Sequence, residues 1–410
     1  MNEQILEAAT PTAQCHHTVT ALERRDRDLV VHWADGHASR FNVLWLRDNC
    51  SSGGDKLSAI RSFSLDRVDP ELSIADAKVT AEGDIELTWS PEPHRSTFSS
   101  TWLRSHCYEP SSRQARKRRP ELWNRTERQH DWPRVDFDTV RASQAGHLAL
   151  LESVADYGFV LVDSVPATAE GTEELASYIA YIRETDFGRI FDIVSEPNVW
   201  DLSQSEQALH PHTDDPYRYS PPGISMLHCL QASESDGGIS QIVDGFAVCE
   251  ALRHQDPAAF ELLATTPMPF VRYREDPVPQ GADVHLRALA PIIKLDRDGE
   301  VCGFRFHERS IAPLDIAPTA MDDVYRALIK LATLVYSEEF MVSRQLAPGQ
   351  AIVFDNQRVL HGRTGFEGLT QRRHMRICTT DRDQFHSRLR LLLSREGREG
   401  AHFELPNGAV

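Results

Sequence analysis

The chain of 410 residues is short of cysteine. Its seven cysteines (Cys15, Cys50, Cys107, Cys229, Cys249, Cys302 and Cys378) are odd in number, scattered, and form no CxxC pair. That argues against a disulfide framework and a complete four-cysteine zinc site, and predicts mostly reduced core thiols. No apolar run approaches the roughly 18 uncharged residues of a membrane span. Met1–Thr10 lacks the basic start and apolar middle of a signal peptide, so a cytoplasmic protein without a membrane partner is expected. Positive charge is also scarce: 44 Lys and Arg face 61 Asp and Glu, a net charge of −17. A surface that acidic repels nucleic acid and anionic lipid, leaving a small molecule as the expected partner. There is no internal repeat and no GxGxxG loop.

With 40% hydrophobic residues the chain can build sizeable cores. Six of its seven tryptophans (Trp33, Trp45, Trp89, Trp102, Trp123 and Trp132) precede Trp200, and this shift in composition marks an N-terminal module of different character. Leu29–Trp33 and Ala38–Phe41 flank Asp35-Gly36 and read as a hairpin with a type I′ turn; Lys78–Ala81 and Ile85–Trp89 flank Gly83 and read as a second. Residues 111–134 hold Arg113, Arg116, Lys117, Arg118 and Arg119, a basic, turn-rich stretch expected to be a solvated linker or a strap across the acidic body. The organisation that follows is a tail (1–17), a small β-rich domain (18–105), a basic linker (106–138) and a larger domain (139–410).

The larger domain begins with helical spacing over Leu148–Tyr157, then Gly158 and the strand-like Phe159–Val162. Further short strands are expected at Ile224–Leu230, Gln241–Val243, Ile292–Leu295, Val301–Phe306, Ala351–Phe354 and Arg376–Thr379, with helices near 246–254, 256–265 and 320–337, the last capped by Thr319. Many short strands with a few helices predict a mainly β protein, a jelly roll with helical insertions, and not a doubly wound sheet.

Two residues apart on an extended segment, His212 and Asp214 point to one side and can ligate the same ion. A third ligand can come from His361, 149 residues later. Two His and one carboxylate on one face of a metal leave positions open, the arrangement of non-haem Fe(II) oxygenases. His-x-Asp alone is weak evidence, since His254 and Asp256 repeat it; there Asp256 precedes Pro257 and is better read as a helix N-cap. His212 and Asp214 differ in their company. Arg372 and Arg373 lie shortly beyond His361, where a returning strand would bring a guanidinium to grip a carboxylate co-substrate.

Leu44-Trp-Leu-Arg-Asp-Asn-Cys50, His212-Thr-Asp-Asp-Pro with Pro-Pro-Gly223 and Leu227-His-Cys229, Gly237-Gly-Ile-Ser240 with Val243-Asp-Gly-Phe246, Phe354-Asp-Asn356 with Leu360-His-Gly-Arg363, and Arg373-His374 together resemble the γ-butyrobetaine hydroxylase family. More distantly, the larger domain looks like the taurine dioxygenases. The resemblance implies a double-stranded β-helix catalytic domain, Fe(II) and O2 as cofactors, and 2-oxoglutarate as co-substrate. His212, Asp214 and His361 would hold the metal; Arg373, in preference to Arg372, and Ser240 would bind 2-oxoglutarate. Hydroxylation of an unactivated C–H bond with release of succinate and CO2 is implied, as is a homodimer. Desaturation or carbon–heteroatom cleavage would use the same cofactors. A non-catalytic metal-binding jelly roll is the rival of another class, but it has no use for Arg373 or Ser240.

The chain also departs from that family. The resemblance implies an N-terminal zinc site of three Cys and one His; here Cys50 and His94 match, while Ser52 and Asp55 replace the next cysteines, so zinc is not expected. The positions of an aromatic cage for trimethylammonium fall on Phe187, Phe191, Gln204 and Thr379, and those receiving the substrate carboxylate fall on Asp201 and Asp215. Trp200, Tyr217 or Tyr219 could supply cage walls. Two acids would favour an ammonium or guanidinium, which predicts a small polar substrate other than γ-butyrobetaine with a cationic or hydrogen-bond-donating group near Asp201 and Asp215, with that compound or a related betaine or phosphonate as the alternative.

Overall fold

The structure is a computed structural model that describes residues 17–50, 64–194, 205, 207–232, 237–275, 283–365 and 373–398. These fall into two compact units, one up to Arg118 and one from Arg119 to Glu396.

The first unit holds two antiparallel three-stranded sheets. One is β1 (Val19–Arg24), β2 (Asp28–Trp33) and β3 (Ala38–Asn42); the other is β4 (Ser73–Val79), β5 (Ile85–Ser90) and β6 (Arg95–Phe98). Both expected hairpins form, the first without the type I′ turn expected at Asp35-Gly36. In each, only the glycine has positive φ (Gly36 +82°, Gly83 +87°), and its N–H returns to the carbonyl three residues earlier, Trp33 or Thr80. This is a type I turn closed by a glycine bulge, which spares Asp35 the left-handed conformation. Alternating residues from both sheets, among them Leu29, Val31, Trp33, Ile85, Leu87 and Trp89, form one core. Each buried indole is satisfied locally, Trp33 by Ser39 and Trp89 by Ser96.

In the second unit, β7 (Arg134–Asp136), β8 (Phe159–Asp163), β9 (Phe191–Val194), β10 (Leu209–His212), β11 (Ile224–Gln231) and β12 (Ser240–Asp244) are followed by β13 (Met268–Arg274), β14 (Val284–Ala290), β15 (Ile293–Leu295) and β16 (Val301–Phe304). The last strands are β17 (Met341–Arg344), β18 (Ala351–Asp355), β19 (Val359–Arg363) and β20 (His374–Thr380). Two sheets dominate, in the orders β7-β8-β18-β11-β20-β9 and β10-β19-β12-β17. Phe159, Leu227, Ile352, Phe354 and Met375 from the first pack with Ile242, Val342 and Val359 from the second. The crossed connections and shared core make a jelly roll. Trp123 and Trp132 are buried in that core against Phe159, with ring centroids at 5.0 and 5.2 Å.

Helices Gly245–Gln255, Pro257–Thr265 and Met321–Val335 pack with β13, β15 and β16 around a second core. Asp256 caps its helix by accepting from Ala259 N at 3.0 Å, so the His254–Asp256 repeat is structural. Thr319 is not a cap: it lies inside the 3-10 turn Pro318–Ala320, which runs directly into the helix that begins at Met321. Six of the cysteines are free thiols, and five of these, all but Cys302, are buried. No helix among the described residues is long and apolar enough to cross a membrane.

Candidate active site

β10 and β19 pair antiparallel, with His212 directly opposite His361. Their rings stand 4.6 Å apart, and the Nε2 atoms lie 3.5 and 3.6 Å from one oxygen, Oδ1, of Asp214. His212 Nδ1–H donates to the His210 carbonyl at 2.9 Å, which leaves Nε2 as an acceptor on the Asp214 side. Among the described residues these three form the one cluster of potential metal ligands, with donor atoms within 4.8 Å of one another. Burial opposes ionisation of Asp214, yet the neighbouring imidazoles His361, His212 and His307 outweigh it and hold the carboxyl well below the usual range. Burial pushes His361 down to about 4 against the pull of Asp214. Neutral imidazole and ionised carboxylate are the forms that bind a divalent cation, so the donor set fits Fe(II).

The cluster opens into a cavity of about 610 Å³, inside the roughly 300–1,000 Å³ typical of small-molecule sites. Arg373, one residue before β20, lines this cavity and is only 5% exposed. Among the described residues no carboxylate lies within ion-pair distance of it. A buried guanidinium is costly without a partner, so the site fits an anionic co-substrate. Ser240 on β12 is buried, lines the cavity and sits opposite Arg363 of β19. Burial and the nearby Arg373 guanidinium bring Arg363 down to about 10.

Phe187, Phe191, Asp215 and Thr379 line the same cavity; Asp201 and Gln204, like Trp200, Ser52, Asp55 and Arg372, lie outside the described residues. Tyr217 is a buried wall, whereas Tyr219 is exposed. Asp215 does not stand as an open acid. It accepts from the Tyr217 hydroxyl at 2.5 Å and from Arg218 Nε at 2.6 Å, and Arg218 also pairs with Asp186. Its charge is met inside the protein, which removes the physical ground for expecting it to attract an ammonium. In the first unit Cys50 Sγ lies 3.5 Å from His94 Nε2.

Two site residues escaped the sequence reading. His307 lines the cavity with its ring 4.4 Å from that of His212; burial drives it down to about 2, so it stays neutral. Asn356 holds the backbone of Asp214 through its side-chain amide. A histidine outside a spaced motif gives no signal, but Asn356 stood in the quoted Phe354-Asp-Asn356 block and could have been singled out.

Residues 116–379 match the taurine catabolism dioxygenase TauD, TfdA family, and residues 20–104 match the γ-butyrobetaine hydroxylase-like N-terminal family. The chain is 34% identical over 366 residues to γ-butyrobetaine dioxygenase of Pseudomonas sp. strain AK-1, covering 88% of this chain and 93% of that protein. It is 31% identical over 385 residues to trimethyllysine dioxygenase of Meyerozyma guilliermondii, covering 90% and 94%. Human γ-butyrobetaine dioxygenase is 29% identical over 374 residues, covering 89% and 94%. Among solved structures, a taurine dioxygenase from Burkholderia xenovorans superposes with a TM-score of 0.45 at 15% identity, over 64% of this chain and 89% of that one. The chain belongs to the TauD, TfdA dioxygenase family and is an Fe(II)- and 2-oxoglutarate-dependent dioxygenase.

Proposed function

We propose that this enzyme hydroxylates an unactivated C–H bond of a small molecule that carries both an ammonium and an acidic group, releasing succinate and CO2. One observation carries the reading: the His212–Asp214–His361 cluster and the buried Arg373 face a single cavity. The curated relatives named for γ-butyrobetaine and trimethyllysine, both zwitterions, support the substrate class.

His212, Asp214 and His361 hold Fe(II) in this reading, and the metal, with 2-oxoglutarate and O2, supplies the oxidising power for C–H cleavage. Arg373 binds the distal carboxylate of 2-oxoglutarate, with the Ser240 hydroxyl beside it. The planar fork of Arg373 fixes orientation as well as charge. Phe187, Phe191, Tyr217 and Thr379 wall the substrate and exclude water from the reacting carbon. In the same reading the protein is cytoplasmic and homodimeric.

Anaerobic addition of Fe(II) and 2-oxoglutarate, followed by visible spectroscopy, tests the reading: chelation gives a weak metal-to-ligand charge-transfer band. Asp214→Ala and His361→Ala each abolish succinate formation, and Arg373→Met raises the KM for 2-oxoglutarate by at least tenfold. No band in the native protein, or normal coupled turnover in the Asp214 variant, refutes it. Betaines, amino acids, amines and phosphonates, γ-butyrobetaine included, form the substrate panel, and light scattering reads the oligomeric state.

A further inference from the structure

The aromatic end of the cavity already contains a cation, and that cation belongs to the protein. Arg272, on β13, places its guanidinium carbon 4.3 Å from the centroid of the Phe187 ring and 5.7 Å from that of Tyr217. Phe187 in turn packs on Phe191, with ring centroids 5.1 Å apart. One face of Phe187, and at longer range one of Tyr217, is therefore engaged from within by cation–π contact.

The guanidinium is also fixed in direction. Its Nη1 donates to the Tyr217 hydroxyl at 3.1 Å, and that hydroxyl donates to Asp215, the residue next to Asp214. Its Nε lies 3.6 Å from Asp186, which is shared with Arg218 and, at 3.9 Å, with Arg274. Arg272 and Arg274 alternate on β13, and both line the cavity. A flat guanidinium held by a ring on one side and a hydroxyl at its edge has little orientational freedom left to lose on binding an oxyanion. A quaternary ammonium brought to the same place would meet like charge and a Phe187 face that is already covered.

We propose that Arg272 is a specificity-determining residue that makes the Phe187–Tyr217 end of the cavity an oxyanion subsite, where the substrate's carboxylate or phosphonate binds. This deepens the substrate class given above and rests on that reading. The Tyr217–Asp215 link places the subsite beside the metal-ligand cluster, so the acidic group bound there holds the neighbouring carbons near the reacting position.

Two methyl-bearing probes separate the alternatives by saturation-transfer NMR: methylphosphonate and tetramethylammonium. The enzyme is used as its diamagnetic Zn(II) complex with saturating N-oxalylglycine, a 2-oxoglutarate analogue, so that anions do not report on Arg373. The native protein binds methylphosphonate and not tetramethylammonium. Arg272→Met, which removes the charge and uncovers Phe187, weakens methylphosphonate at least tenfold and admits tetramethylammonium; Arg272→Lys keeps the anion preference at reduced strength. Retained N-oxalylglycine binding shows that each variant is folded. Tighter binding of tetramethylammonium than of methylphosphonate by the native protein, or unchanged methylphosphonate affinity in Arg272→Met, overturns the assignment. Failure of N-oxalylglycine to bind the native protein overturns the 2-oxoglutarate reading instead; methylphosphonate titrations of the metal-free Arg373→Met protein with and without Arg272→Met, in which Arg373 no longer reports, then decide the role of Arg272.

Discussion

Asn356 clasps the backbone of Asp214 from both sides. Its Oδ1 accepts from Asp214 N at 2.7 Å and its Nδ2 donates to the Asp214 carbonyl at 3.1 Å, across 142 residues of chain. The same Nδ2 reaches Pro222 O at 3.4 Å. A loop residue proposed as a metal ligand is thereby fixed by an amide from the turn between β18 and β19. Asn356→Ala leaves the Asp214 peptide without these partners in a largely buried place, at a cost of about 1–3 kcal/mol for each buried group left unsatisfied. Metal affinity should fall 10–100-fold, as is typical when an outer partner of a ligand is removed. Anaerobic Fe(II) titration measures this, and unchanged affinity would show that Asp214 is positioned by other contacts.

Gly362 follows His361 on β19, where β10 crosses closest. A Cβ built there would meet Leu209 O at 2.5 Å and Pro211 N at 2.8 Å, both backbone atoms that cannot swing aside. Gly362→Ala should therefore push β10 from β19 and separate His212 from His361. The expected result is a folded protein, judged by circular dichroism, whose metal affinity and turnover are both lost. Wild-type turnover in this variant would mean that the strands part without disturbing the ligands.

How much of this was legible beforehand depended on whether the signal was local. Strands with alternating or continuous apolar runs, such as Ile85–Ser90 and Ala351–Asp355, are visible in the sequence because their burial pattern is their own. The grouping of His212, Asp214 and His361 was also legible, because two His and one Asp are the residue types that together can serve one divalent cation. The hairpin of β13 and β14 was missed: the neighbours of buried Met268 and Phe270 are Pro269 and Val271, so no apolar–polar alternation shows, and the same strand then carries Arg272 and Arg274 into the cavity. The neutralisation of Asp215 was invisible for a different reason. Asp215 and Arg218 are three residues apart, but nothing in the sequence reveals that Asp186 and Arg272 converge on them.

Acid should destabilise the fold well above the carboxylate range. His228 is fully buried on β11, its Nδ1 against the Thr172 hydroxyl at 2.8 Å, and burial, helped by Arg376, pushes its pKa down to about 4. Unfolded, it would titrate near 6.5, so the unfolded chain binds the proton first as pH falls. The stability associated with a neutral His228 is present above about pH 6.5 and is lost progressively toward pH 4, by about 3 kcal/mol at most. His147, also lowered chiefly by burial, acts in the same direction. Denaturant titrations at pH 7.5, 6 and 5 measure the slope, and His228→Gln should flatten it. An equally steep fall in that variant would place the sensitivity elsewhere.

Among the described residues the most buried ion pair does not line the cavity and should govern folding more than catalysis. Arg358 and Asp244, 2% and 0% exposed, meet at 2.8 and 3.0 Å through Nη2 and Nε, while Nη1 donates to the carbonyl of Asp156 and Nη2 also to that of Glu121. Asp244 also caps the helix Gly245–Gln255 and accepts from Trp123 N. Arg358 thus joins the turn before β19 to the start of that helix and to the chain leading into β8. Arg358→Met leaves Asp244 charged, buried and unmatched, a loss expected at roughly 3–5 kcal/mol. Pairing it with Asp244→Asn removes the stranded charge and keeps an acceptor for the helix cap, so the double variant should recover part of the loss. Thermal and denaturant unfolding of the four proteins measures the coupling between the two residues. If the losses of the single variants simply add, the pair is two independent groups, each held by its backbone partners, and not a clamp.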